Sequence, residues 1–282
     1  MQFRPDSPIP VSSSLAPVLE PEQQSLYQGV LKTLNEHAIP YAVSGAFALQ
    51  RHTRIWRVTK DLDLFLTAEA LAPAMELLRK KGFYCVMTDP VWLAKAHRGP
   101  FFVDLITGMS NAALVVTDSW MAHAQPAPVL DVASRVLAAE ELLVSKLFVI
   151  RRERFDGADI AHIVYGTRGQ LDWERVLALV GDHWELLLWA LLLFRYVYPL
   201  QTEFVPLQLW AELLRRLVPE LLQPNPSARF RGSLVDDNMF AIDVNEWGLE
   251  DLLTQYRSRR LREIGQAALT PDCFAEKDEN KP

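Results

Sequence analysis

Cysteine is scarce in this chain, with only Cys85 and Cys273 among 282 residues. They lie far apart and show none of the short spacings typical of metal or redox sites, so the sequence gives no sign of cysteine-based chemistry. This usage of cysteine fits a reducing compartment. The histidines likewise show no spacing that would indicate a zinc site.

A long apolar run is also missing. The longest, at residues 186–194, is much shorter than the roughly 20 residues that a membrane-spanning helix needs. Residues 1–17 contain no apolar segment typical of a signal peptide. The net charge of -6 at pH 7 argues against broad, non-specific binding of nucleic acid but leaves room for a local basic patch. We therefore expect a cytoplasmic protein that does not associate with a membrane.

Half of the residues are hydrophobic, which is enough for a substantial core, and the length allows two modest domains. We expect the α/β (α+β) class, with a mixed-sheet domain at 20–137 followed by a mostly helical domain at 138–265. The remaining segments, 1–19 and 266–282, are predicted to be a flexible N-terminus and a loose tail.

The stretch at 41–66 is the most informative part of the sequence. A strand is predicted at 41–43, where the residues are apolar, and it ends at a Ser44-Gly45 turn. Helix-forming residues follow at 46–50. A basic connection then leads to a second strand at 61–66, which begins Asp-Leu-Asp and continues with apolar residues.

Asp61 and Asp63 share one face of this second strand, because side chains alternate across a strand. Two neighbouring carboxylates repel each other and raise each other's pKa, which no protein core requires. A divalent cation such as Mg²⁺ takes oxygen ligands and neutralises such a pair. The backbone N–H groups of the Ser44-Gly45 turn suit a phosphate group, since a helix begins there and glycine permits close approach.

A third carboxylate, Asp104, lies inside an apolar strand predicted at 101–106. A lone aspartate in such a strand is costly to bury unless it is paired or binds a metal ion. The alternative is an aspartate near a strand end whose oxygens accept backbone N–H groups.

The order of strand, turn, helix and Asp-x-Asp strand resembles the nucleotidyltransferase superfamily, whose best-known member is DNA polymerase beta, and its small bacterial members in particular. In these proteins the turn usually reads Gly-Gly or Gly-Ser, whereas this chain has Ser44-Gly45. The resemblance implies Mg²⁺ as the cofactor, with Mn²⁺ as an alternative, and a nucleoside triphosphate (NTP) as substrate. It implies that the catalytic and metal-binding residues are Asp61, Asp63 and Asp104. The residues that it implies at the nucleotide are Ser44, Gly45, Arg57, Lys60 and Lys146.

The segment EELLVSKL at 140–147, the basic run after it and the aspartates Asp156 and Asp159 are similar to the abortive-infection toxin group of this superfamily. In that group a lysine on this helix and an aspartate shortly after it support the active site. The similarity implies a triphosphate contact for Lys146 and a supporting role for Asp156 or Asp159. The residues alone also allow a lysine whose ammonium extends into water and ordinary aspartates at a helix start.

These features predict an enzyme that moves a nucleoside monophosphate from an NTP to a hydroxyl group of a tRNA or other RNA end, a protein or a small molecule. The toxin-like features favour tRNA or protein and imply a cognate antitoxin as partner. The alternative is an inactive nucleotide- or partner-binding module, which the Ser44-Gly45 order favours and the three acids oppose. A phosphohydrolase with an aspartate nucleophile is a weaker hypothesis, because residues 64–66 continue the strand.

Overall fold

The structure is a computed structural model, and it describes residues 19–266. The predicted flexible N-terminus and loose tail lie outside the described residues, apart from residues 19 and 266. The described residues form two compact units. The sheet unit contains 19–47, 58–137 and 254–266, and the helical unit contains 48–57 and 138–253. The domain boundaries given above stay predictions.

The sheet unit is built on a seven-stranded mixed sheet. Its strands, in chain order, are β1 (Ala42–Val43), β2 (Asp61–Phe65), β3 (Tyr84–Asp89), β4 (Leu93–Arg98), β5 (Phe101–Ile106), β6 (Gln125–Val129) and β7 (Val132–Val136). The strand order across the sheet is β3-β4-β5-β2-β1-β7-β6. Strand β2 runs parallel to β5 and antiparallel to β1, and β1 runs parallel to β7.

The chain also contains twelve α-helices within the described residues. They are α1 (Pro21–Glu36), α2 (Gly45–Thr53), α3 (Ala68–Lys80), α4 (Asp118–His123), α5 (Ala139–Leu147), α6 (Gly157–Gly166), α7 (Trp173–Val180), α8 (Trp184–Val197), α9 (Leu207–Leu222), α10 (Gly232–Val235), α11 (Ala241–Asn245) and α12 (Leu252–Gln266). A mixed sheet with this complement of helices confirms the predicted α/β class.

The core of the sheet unit follows from two sequence patterns, the alternation of apolar residues along strands and their helical spacing along helices. Leu62 and Leu64 alternate with the aspartates of β2 and are fully buried on the opposite side of the strand. Helix α1 buries Val30, Leu31 and Leu34, which recur at helical spacing. It packs against α3 and β7. The apolar positions of β2 therefore fix the strand in the core and leave its carboxylates on the other face.

Two prolines, Pro126 and Pro128, predict a loop from the sequence, and a short edge strand is predicted at 128–132. Pro126 and Pro128 belong to β6, which pairs with β7 through a two-residue turn at Leu130 and Asp131. Strand β6 is the edge of the sheet. A proline has no N–H to donate, and an edge strand can accept this because one side of it needs no partner strand. The loop prediction is therefore wrong at Pro126, whereas the predicted edge strand is confirmed at residues 128 and 129, and residues 130 and 131 form the turn.

Helix α8 is the most apolar helix of the helical unit, and the sequence predicts that it is buried on nearly every face. Leu187, Leu191 and Phe194 are fully buried. Leu192 and Tyr196 on the other face are 52% and 83% exposed, so the prediction is wrong for that face.

The run Trp173–Val197 contains α8 and is long and apolar enough to cross a membrane, with a mean hydropathy of 1.7 in its most apolar window. Of that window, 39% is buried within the structure. Length and composition alone do not separate a membrane span from the core helix of a soluble protein, so the predicted lack of membrane association stays a prediction.

Helix α12 contributes a charged contact to the sheet unit. The Arg257 guanidinium donates to both carboxylate oxygens of Asp89, at 3.0 and 3.1 Å, and to the backbone oxygen of Ser110 at 2.6 Å. Asp89 ends β3, so this contact ties the helix to one end of the sheet.

We expect Arg257→Met to lower the free energy of unfolding by about 1 kcal/mol, because Asp89 and Ser110 lose a charged donor at a partly exposed site. Urea denaturation would measure the change. Arg262→Met, at an exposed position of the same helix, is the control and should change the free energy by less than about 0.5 kcal/mol. Equal effects of the two substitutions would show that the contact does not stabilise the protein.

Candidate functional site

Three carboxylates converge on one face of the sheet. Strands β2 and β5 pair in parallel with Asp63 directly opposite Asp104, and Asp61 lies two residues before Asp63 on the same face. One carboxylate oxygen of each of the three lies within 4.8 Å of those of the other two. Asp104 is 9% exposed and the other two are half-buried. The structure therefore brings together the three acids that the sequence proposes as metal ligands.

Burial raises the pKa of the Asp104 carboxyl above its usual range. A hydrogen bond and the positive charge of Lys95 oppose this rise, while the negative charge of Asp61 adds to it. Carboxyl groups with a perturbed pKa that lie in a cluster are common at functional sites. The electrostatic cost of this arrangement would fall if a cation bound between the acids.

Lys95 is a cation in contact with Asp104, and the sequence analysis did not identify it as a site residue. Its Nζ donates to Asp104 Oδ1 at 2.6 Å and lies 4.2 Å from the centre of the Phe102 ring. The sequence holds a weak signal for this residue, since Lys95 is the only charged residue in an apolar strand predicted at 91–96. The tight connection predicted at 97–100 would also bring that strand beside the Asp104 strand.

Asp61 is oriented by the residues just before it. Thr59 Oγ1 donates to Asp61 Oδ1 at 2.6 Å. Helix α1 holds this segment through Gln23 Nε2, which donates to the Thr59 backbone oxygen at 3.2 Å, and Tyr27 Oη, which donates to the Lys60 backbone oxygen at 3.0 Å. The sequence gives no sign of these contacts, because α1 lies more than thirty residues earlier in the chain.

Tyr27 remains a hydrogen-bond donor at neutral pH. The pKa of its phenol is raised to about 12, mainly by burial and also by the negative charges of the three aspartates, against a hydrogen bond with Gln23 that lowers it. The protonated phenol can therefore hold the Lys60 backbone oxygen at any pH near neutrality. The Lys60 side chain itself is exposed.

The Ser44-Gly45 turn lies against the acids. The Ser44 backbone N–H donates to the Asp63 backbone oxygen at 2.9 Å. Gly45 begins α2 with a φ of +57°, and a Cβ added there would overlap the Asp63 carboxylate. Glycine is required at this position both by the left-handed backbone and by the lack of space.

Two other predicted site residues, Arg57 and Lys146, lie in the helical unit within an ionic cluster whose lysine and aspartates are largely buried and whose arginines are exposed. Lys146 Nζ donates to Asp156 Oδ2 at 2.6 Å and forms an ion pair with Asp159 at 2.9 Å. Arg57 forms an ion pair with Asp159, and Arg154 donates to both oxygens of Asp156 at 3.0 Å. The Lys146 side chain is 12% exposed, so its ammonium does not extend freely into water.

The charges in this cluster lower the pKa of the Asp156 carboxyl. Burial by itself would raise the pKa of its carboxyl, but the hydrogen bonds and charges of Arg154 and Lys146 outweigh burial and hold the pKa below its usual range. The carboxylate therefore stays ionised near neutral pH and balances the lysine.

Comparison with known proteins places these features in a family. Residues 23–181, more than half of the chain, match the family described as "Nucleotidyl transferase of unknown function (DUF2204)". The match covers every predicted site residue, from Ser44 to Lys146. No curated protein matches the chain.

Several solved structures are similar to parts of the chain. The antibiotic-resistance factor ANT(2'')-Ia, in its solution structure, has a TM-score of 0.40 and 15% identity, covering 57% of this chain and 90% of that one. The lincosamide antibiotic adenylyltransferase LnuA, bound to lincomycin, has a TM-score of 0.37 and 15% identity, covering 50% and 95%. An antigenic nucleotidyltransferase-like protein from Paracoccidioides brasiliensis has a TM-score of 0.40 and 16% identity, covering 67% and 96%. Similarity at this level carries no conclusion about substrate.

We expect Gly45→Ala to lower the free energy of unfolding by about 2–3 kcal/mol, from backbone strain and from displacement of the Asp63 carboxylate by the new Cβ. Gly99→Ala is the matched control, since Gly99 has a φ of +61° but nothing within 4 Å of an added Cβ. It should cost about 1 kcal/mol from strain alone. Denaturant unfolding of both variants would measure the difference. Equal losses would show that the space beside Asp63 does not require glycine.

Proposed function

Because this chain belongs to the family of nucleotidyl transferases of unknown function, we propose that it moves a nucleoside monophosphate from an NTP to a hydroxyl group. The observation that carries this proposal is the cluster of Asp61, Asp63 and Asp104, whose oxygens lie within 4.8 Å of one another. The reaction would form a phosphodiester bond to the acceptor oxygen and release pyrophosphate.

The donor set of this cluster fits a divalent cation. Three carboxylates supply the hard oxygen ligands that Mg²⁺ and Mn²⁺ accept, and their mutual repulsion gives such an ion a favourable electrostatic environment. When bound, the ion would lower the pKa of the attacking hydroxyl and neutralise charge on the triphosphate. We propose Mg²⁺ as the physiological cofactor, with Mn²⁺ as a substitute.

The protein's own groups have separate tasks in this proposal. Thr59 fixes the Asp61 carboxylate through the 2.6 Å hydrogen bond. Asp104, which lies directly opposite Asp63 on the same face of the sheet, is suited to accept the proton of the acceptor hydroxyl. The start of α2 after Gly45 offers backbone N–H groups for the phosphates, and the exposed Lys60 provides a cation beside them.

The alternative is a module that binds nucleotide without transferring it. One observation favours it, since the Ser44 backbone N–H is already used by the Asp63 backbone oxygen and does not serve a phosphate. We regard transfer as better supported, because all three acids converge on one face of the sheet.

For the acceptor, we propose the hydroxyl of a tRNA end or of a protein over a small molecule. The toxin-like segment supports this choice, because its lysine and both aspartates form one cluster, through Lys146, Asp156 and Asp159. The proposal includes a cytoplasmic enzyme of toxin type that has a cognate antitoxin.

The test is transfer of label from each α-³²P-labelled NTP with Mg²⁺, with and without total tRNA. We expect label to move to RNA or protein, and we expect Asp61→Asn and Asp63→Asn each to reduce the rate by about 100-fold or more, because charge neutralisation at the reacting phosphate is lost. Asp118→Asn makes the same chemical change at an exposed position of the sheet unit and should leave the rate unchanged.

Three other outcomes would contradict parts of this proposal. Binding of NTP and metal without movement of label would favour the binding module. Label on a small molecule alone would remove the tRNA or protein acceptor. Failure of both binding and transfer would show that the three acids are not a metal site.

Metal binding can also be tested without activity. A metal ion that binds only the folded protein raises the free energy of unfolding by about 2.7 kcal/mol at 100 times its dissociation constant. We expect a rise of this kind for the wild-type protein in Mn²⁺, measured by thermal or denaturant unfolding. Asp63→Asn should abolish most of it, and a variant that keeps the full rise would exclude Asp63 as a ligand.

A further inference from the structure

Lys95 and two of the acids form a row across three neighbouring strands. Lys95 on β4 lies directly opposite Asp104 on β5, and Asp104 lies directly opposite Asp63 on β2. Residues that lie opposite each other in a sheet project from the same face. The row therefore runs from one ammonium through a buried carboxylate to a second carboxylate.

The contacts of Lys95 hold its ammonium in place. Its Nζ lies 2.6 Å from Asp104 Oδ1, and the side chains of Lys95 and Asp104 are 23% and 13% exposed. The Phe102 ring lies beneath the ammonium at 4.2 Å, two residues before Asp104 on the same face of β5. A short charge-assisted hydrogen bond together with a cation–π contact restricts the lysine to one position.

We propose that Lys95 is a positioning residue for Asp104 in the transfer reaction. The ammonium holds Oδ1, so the carboxylate keeps one orientation, and in this proposal it presents Oδ2 to the metal ion and the acceptor hydroxyl. This inference rests on the proposed function. It adds a specific task for a residue that is not itself a metal ligand and does not touch the substrate.

The charge of the lysine matters as well as its position. Without it, no cation among the described residues would contact the Asp104 carboxylate, and Oδ1 would lose the donor that fixes its orientation beside Asp61 and Asp63. A purely structural ion pair would affect stability alone. A positioning role instead predicts a slower chemical step even when metal and nucleotide are saturating, because small misplacements of a reacting group are costly.

The experiment compares Lys95→Met with Lys80→Met in the full-length protein. Lys80 also lies 2.6 Å from a carboxylate, that of Glu76, but on the exposed surface of α3. We expect Lys95→Met to lower kcat by about 10- to 100-fold at saturating Mg²⁺, while KM for the NTP changes by less than about threefold. Lys80→Met should change neither.

A second readout does not depend on activity. We expect Lys95→Met to bind Mn²⁺ at least as tightly as the wild type, measured by calorimetry or by electron paramagnetic resonance, because the substitution removes a positive charge beside the ligands. Lys95→Arg keeps the charge but moves the donor, so it should recover part of the lost kcat.

Each result decides between the alternatives. A wild type that transfers label, with an unchanged kcat in Lys95→Met, would overturn the positioning role and leave the proposed function intact. Recovery of the wild-type kcat by excess metal would also overturn it, since Lys95 would then serve metal affinity alone. A wild type that transfers nothing overturns both proposals.

If Lys95→Met does not fold, Lys95→Arg provides the test. A kcat of Lys95→Arg equal to that of the wild type would contradict the dependence of the reaction on the position of the donor.

Discussion

Repulsion between three carboxylates on one face of the sheet is the constraint on which the rest of the sheet unit depends. The parallel register of β2 and β5 brings Asp63 opposite Asp104 and leaves no strand position that would separate them. The surrounding residues compensate in different ways. Lys95 supplies charge, Thr59 supplies a hydrogen bond, and Gly45 supplies space. Lys95 and Thr59 each hold one carboxylate, and Gly45 leaves room for the carboxylate of Asp63, so the cluster is arranged before any ion binds.

The hydrophobic side of β2 keeps the acids on this face. A shift of register by one residue would turn Leu62 and Leu64 to the polar face and bury both aspartates. The two leucines are fully buried, so such a shift would cost several kcal/mol of lost apolar burial, at about 1.5–3 kcal/mol for each side chain. Stability of the fold and geometry of the site are thus two consequences of one alternating pattern.

The same alternating pattern determines which parts of the fold and of the site can be predicted from the sequence alone. Alternation and local turn residues predict β2, β5 and the α/β class, and they assign Asp61 and Asp63 to one face. They do not give the pairing of distant strands. Lys95 becomes visible as a partner of Asp104 only when the register of the β4–β5 hairpin is known. The contact of Tyr27 with residue 60 depends on how α1 packs against the sheet, which no local pattern encodes.

The two ionic clusters differ in how many cations contact each carboxylate, each cluster within its own unit. In the sheet unit three carboxylates face the ammonium of Lys95, so negative charge remains and a cation is the ligand that would be attracted. In the helical unit Lys146 and Arg154 contact Asp156, while Lys146 and Arg57 contact Asp159, so each of these two carboxylates is paired with two cations. A buried lysine paired with an aspartate therefore does not by itself indicate which ligand the site would bind. The number of carboxylates beside the lysine determines whether negative charge remains to attract a metal ion, as in the sheet unit, or is neutralised by neighbouring cations.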